Sequence, residues 1–129
     1  MRKILKRIAA LSAAVMMMGT MVISASAATV VQKIGGYSTT CGAYTSGNGL
    51  YISTSVNSNS VSVSVSGSAT YKYNGVSKST GNGNGGLGGT TAIITKKSGG
   101  VWTALTTTHS VNGSSKTISD ATWKNNKVI

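Results

Sequence analysis

Val61, Val63 and Val65 alternate strictly with Ser60, Ser62, Ser64 and Ser66. A period of two puts the valines on one side of an extended chain and the serines on the other. That is a half-buried β-strand with one wet face. The same period recurs elsewhere. Val30, Gln32 and Ile34 oppose Val31 and Lys33, while Leu50, Ile52, Thr54 and Val56 share a face. Gly, Asn and Ser clusters separate these segments at the spacing of a sandwich or barrel. Nothing beyond residue 28 has the period of an amphipathic helix. The expected fold is all-β, a small antiparallel β-sandwich of about seven or eight strands.

The first residues read differently. Arg2, Lys3, Lys6 and Arg7 precede an uncharged, mostly apolar run from Ile8 to Ile23, followed by Ala25-Ser26-Ala27. Basic head, apolar centre and small-residue exit are the parts of a bacterial Sec-type secretory signal peptide. The run approaches the ~18 residues of a membrane span, but Gly19, Thr20 and the serines dilute it. The expected organisation is a cleaved signal helix over 1–28 and one secreted domain over 29–129.

Removing the four basic residues of the signal from the twelve in the chain leaves eight lysines against Asp120, a net +7 with no arginine. Gly, Ser, Thr and Asn supply more than half of 29–129, and phenylalanine is absent. Cys41 is alone, so no internal disulfide staples the domain. It reads as a small buried residue. Self-association through an intermolecular disulfide is the alternative.

Two Asn-Gly dipeptides predict hairpins, because a two-residue type I′ turn needs positive φ at both central positions. Around Asn74-Gly75, Tyr73 pairs with Val76 and Tyr71 with Lys78. Around Asn112-Gly113, Val111 pairs with Ser114, His109 with Lys116 and Thr107 with Ile118. Continuing that register sets Trp102 opposite Trp123 and Leu105 opposite Asp120, a mismatch that a bulge near Asp120 would relieve. Gly99-Gly100 suggests a third turn, pairing Ile94 with Leu105 and Lys97 with Trp102. The C-terminal third therefore reads as a three-strand meander over 90–98, 101–111 and 114–124. Ile94, Val101, Leu105, Val111 and Ile118 form its buried face, and Lys97 lies within cation–π reach of Trp102.

The stretch Gly81–Gly89, GNGNGGLGG, twice spells G-x-G-x-x-G. A dinucleotide site needs a helix after that loop and an acidic residue about 20 positions on. Here the β-branched run TTAIITKK follows, and no acidic residue lies about 20 positions on. The glycines read as a flexible connection between sheets, and no cofactor is expected. Cys41, His109 and Asp120 are the only residues of their types in 29–129. They compose a triad on paper, but the hairpin register separates His109 from Asp120 and leaves His109 near a hairpin tip. Two-carboxylate chemistry lacks its second acid, and a metal site from these three lacks a fourth ligand. The chain reads as non-enzymatic and without a metal site.

The lysines carry the functional signal. A +7 domain is drawn to anionic surfaces, and lysines also guard strand edges. Lys72, Lys78, Lys96, Lys97, Lys116, Lys124, Trp102 and Trp123 are the candidate surface-binding residues. Export and the lack of arginine disfavour nucleic acid. The expected partner is an anionic cell-wall polymer or membrane surface. A signal peptide, a small basic Gly/Ser-rich β domain and late tryptophans give the chain a layout similar to that of lactococcin-972-type bacteriocins, although the Trp-x-Tyr-Gly start of that family is missing. The layout implies a bacteriocin-like role at a bacterial envelope. The alternative is a structural or self-assembling surface protein, to which Ser/Val alternation in a strand-rich chain is suited.

Overall fold

A computed structural model describes residues 27–129. The expected signal segment lies outside the described residues except for Ala27 and Ala28, which open the first strand. Eight strands follow in chain order: β1 (Ala27–Ile34), β2 (Tyr37–Ser46), β3 (Gly49–Val56), β4 (Ser62–Tyr73), β5 (Val76–Leu87), β6 (Gly89–Thr95), β7 (Val101–Val111) and β8 (Ser114–Ile118). They form two antiparallel four-stranded sheets, ordered β1-β2-β3-β6 and β5-β4-β7-β8. The all-β sandwich expected from the alternation is present.

The core lies between the sheets and follows the period of two. Leu50, Ile52 and Thr54 of β3 are buried, as are Val63 and Val65 of β4, with Val61 just before it. Gly67 continues the inward row of β4, where a Cβ would stand 2.7 Å from Ile52 Cδ1. Its bare backbone lets the opposite sheet approach. Both Asn-Gly turns take the expected register, with Tyr73 opposite Val76 and His109 opposite Lys116. Asn74 and Asn112 adopt φ of 52° and 49°, the left-handed values such turns require.

The C-terminal meander is not formed. β6 pairs with β3, setting Ile94 opposite Leu50. β7 lies in the other sheet, between β4 and β8. The Gly99-Gly100 segment is thus a crossover between sheets, and Lys97 does not pair with Trp102. The bulge falls at the start of β7 rather than near Asp120. Thr70 pairs with Ala104 but Tyr71 pairs with Trp102, leaving Thr103 without a partner. An extra residue flips the alternation beyond it. Trp102 therefore turns to the side of Tyr71, and Val101, expected in the core, is 65% exposed.

The expected strand over 114–124 stops at Ile118. A short helix, α1 (Asp120–Asn125), replaces its second half. Ser119 caps it, accepting a hydrogen bond from the Thr122 amide at 3.3 Å, and Asp120 sits in the first turn, where negative charge is favoured. Trp123 is consequently not opposite Trp102; it is fully buried. The Leu105–Asp120 mismatch resolves as a bond. The Leu105 amide, beyond the end of β8, donates to Asp120 Oδ1 at 2.9 Å.

The glycine run is a strand, not a flexible loop. β5 pairs with β4 along its whole length, from Tyr73–Val76 to Ser62–Leu87. Only Gly88, with φ of 79°, carries the chain to the other sheet.

Candidate functional site

The chemistry-bearing residues fall in two places. The first is the middle of the core. His109 is fully buried on the inner face of β7, not near an open hairpin tip. Its Nδ1 lies 2.7 Å from Thr54 Oγ1 of the opposite sheet, and its Nε2 lies 2.7 Å from Thr107 Oγ1. The Trp123 indole, which can only donate, bonds Thr107 Oγ1 at 3.1 Å. Thr107 Oγ1 thus accepts from the indole, while the bonds of the two threonine hydroxyls to Nε2 and Nδ1 take their direction from the tautomer of the imidazole. Burial pushes the His109 pKa down to about 4, opposed by a backbone hydrogen bond with Ser53.

Cys41 sits beside this network, directly across from Thr54 on β2. It is fully buried. Burial pushes its thiol up to about 12, against a smaller opposite effect of Gln32. The thiol is held away from solvent, as its reading as a small buried residue expects. Asp120 is engaged elsewhere, by the Leu105 amide and by Lys124 Nζ at 2.9 Å. Cys41, His109 and Asp120 therefore do not form a triad: the two nitrogens of His109 face threonines. Among the described residues no three His, Cys, Asp or Glu side chains stand where they could hold a metal ion.

The second place is one end of the sandwich, where the Gly47-Asn48 turn, the Asn74-Gly75 turn and the β6–β7 crossover meet. Tyr71 and Trp102 pack edge to face there, with ring centroids 5.7 Å apart at 79°, a geometry that suits two quadrupoles. Lys96 Nζ stands 5.9 Å from the Trp102 ring and Lys97 Nζ 5.6 Å from the Tyr73 ring. The cation over Trp102 is thus Lys96 rather than Lys97. Lys96 Nζ also donates to Asn48 Oδ1 at 3.3 Å. A Cβ on Gly100 would stand 2.7 Å from Tyr71 Cδ2, so the crossover lies flat on that ring because residue 100 has no side chain. The Trp102 indole N–H is shielded from solvent and has no hydrogen-bond partner among the described residues.

Lys78 lies opposite Tyr71, and Lys72 opposite Val101. On the outer face of the other sheet, Tyr44 and Tyr51 stack at 4.6 Å and 5° near the same end, with Ile93 beside Tyr51. Five of the seven aromatic residues of the chain thus gather at one end: Tyr44, Tyr51, Tyr71, Tyr73 and Trp102. Four of the candidate lysines join them.

Three candidates stand apart. Trp123 is buried and offers no surface. Lys124 is paired with Asp120. Lys116 is exposed on β8, near the opposite end. The tyrosines were missed as site residues. Their signal was the Tyr-Lys-Tyr sequence entering the Asn74-Gly75 turn, but only the bulge at Thr103 and the sheet crossover bring Trp102 and Lys96 to them. In comparison with known proteins, no family model, curated protein or solved structure matches the chain.

Proposed function

We propose that the chain is a secreted, basic, non-enzymatic protein that binds an anionic bacterial envelope, with a bacteriocin-like role. One observation carries this reading: Lys72, Lys78, Lys96 and Lys97 share one end of the sandwich with five aromatic rings. The only acidic side chain, Asp120, is occupied by Lys124 and the Leu105 amide. Clustered lysines attract an anionic surface, and the half-exposed rings of Tyr44, Tyr51 and Tyr73 beside them add contact area at low conformational cost. The core histidine and thiol are held away from solvent, which supports binding rather than catalysis.

The test is retention of the purified protein on washed bacterial cells as salt rises. Attraction between exposed charges is screened over ~8 Å at physiological ionic strength, so retention is expected at low salt and falls steeply above it. Retention that ignores salt, or none at all, would sink the reading.

A further inference from the structure

The lysine end also carries apolar groups that an anionic polymer does not call for. Val76 opens β5 beside the Asn74-Gly75 turn and is 54% exposed; Val101 opens β7 after Gly99-Gly100 and is 65% exposed. Tyr73 lies opposite Val76, and Lys72 opposite Val101. The two valines thus stand at the tips of the two strands that flank β4, Val76 on the inner face with Tyr73 and Val101 on the outer face with Lys72. Tyr44, Tyr51 and Ile93 lie near the same end on the outer face of the other sheet.

Apolar strand tips, tyrosines beside them and a collar of lysines match the layers of a lipid surface. Valine side chains gain by leaving water. Tyrosine favours the headgroup level, where its ring meets the apolar boundary and its hydroxyl stays wet. Lysines reach lipid phosphates while their stems stay in the apolar boundary. We infer that this end docks, tips first, on an anionic lipid bilayer, with Val76 and Val101 entering the interface and Lys72, Lys78, Lys96 and Lys97 at the headgroups. The inference rests on the envelope-binding reading and selects lipid over wall polymer as the partner.

Co-sedimentation of the purified protein with vesicles tests it, using zwitterionic vesicles and vesicles in which about a third of the lipid is phosphatidylglycerol. Each basic residue near such a surface contributes about five-fold in binding. The K96Q/K97Q variant is therefore expected to bind anionic vesicles about 25-fold more weakly, with a shallower salt dependence. The V76S/V101S variant is expected to bind about ten-fold more weakly, with the salt dependence unchanged. Val76, Val101 and Lys97 are exposed and Lys96 is half-buried, and unaltered far-ultraviolet circular dichroism certifies both folds.

Acyl chains brominated near the headgroup should quench the fluorescence of Trp102 and spare that of the buried Trp123. Equal binding to zwitterionic and anionic vesicles, or unchanged binding of V76S/V101S, would overturn the inference. If lipid-free cell walls retain the protein while vesicles do not, lipid docking falls and the envelope reading stands. If neither retains it, both fall.

Discussion

The Nδ1 of His109 lies 2.7 Å from the hydroxyl of Thr54, joining the two sheets through the centre of the core. The contact is part of a chain of hydrogen bonds that joins the Trp123 indole, Thr107, the imidazole and Thr54. A second proton would put a charge on a ring that is fully buried among neutral hydroxyls.

Stability should therefore fall in mild acid. Burial lowers the folded-state pKa of His109 to about 4, against ~6.5 in an unfolded chain. The unfolded state binds more protons between these values, so the contribution is intact above about pH 6.5 and is lost as pH falls toward 4. The loss is about 1.4 kcal/mol per pH unit and about 3 kcal/mol across the window. Only Asp120 adds another acidic side chain, so few other groups obscure the slope. Urea unfolding of the protein and of His109→Gln between pH 4 and 7.5 checks it. A slope that persists in the variant contradicts the assignment; nuclear magnetic resonance titration of the imidazole provides the same check without a substitution.

Asp120 makes two bonds of unequal weight. Its contact with the Leu105 amide is part-buried, and a hydrogen bond to a charged group contributes ~1.5–3 kcal/mol. Its ion pair with Lys124 is more exposed, with half of the lysine side chain in solvent, and such pairs contribute ~0–1 kcal/mol. Asp120→Ala is expected to destabilise by roughly 1.5–3 kcal/mol and Lys124→Ala by under ~1 kcal/mol. Equal losses in urea titrations of the two variants would show that the ion pair, not the amide bond, fixes α1.

The glycine run protects an edge. Asn82 Nδ2 donates to the Ile93 carbonyl at 2.9 Å and Asn84 Nδ2 to the Thr91 carbonyl at 3.0 Å. These bonds bridge from β5 to the otherwise open side of β6. Removing both in N82A/N84A should cost roughly 1–3 kcal/mol and expose an edge that recruits other chains. Analytical ultracentrifugation should show association at concentrations where the unaltered protein is monomeric. A variant as stable and as monodisperse as its parent would remove this role.

Local chemistry decided which parts of the fold were legible in the sequence. The two Asn-Gly hairpins were, because positive φ at Asn74 and Asn112 is a local requirement. Gly99-Gly100 carries the same kind of signal, yet the chain crosses between sheets there, since Ile94 finds its partner in Leu50. Nothing in a dipeptide distinguishes a hairpin from a crossover.

Glycine disfavours strands, which hid β5. It is required there by a close approach: a Cβ on Gly81 would meet the Gly67 carbonyl at 2.7 Å. The α1 signal was present, in Ser119 as cap and Asp120 after it, but the extended hairpin register overrode it. For the site, the lysines and Trp102 were legible as types. Their company was not, because one unpaired residue, Thr103, decides which way Trp102 points.

The central claim is that a place, not net charge, binds the envelope. Two triple variants separate these, since each removes three positive charges. K78Q/K96Q/K97Q alters the aromatic end, while K33Q/K116Q/K127Q alters lysines away from that cluster. The most direct measurement is the retention of both on washed bacterial envelopes across a salt series. The account predicts that the first variant loses retention and its salt dependence while the second keeps most of both; equal losses in the two would contradict it.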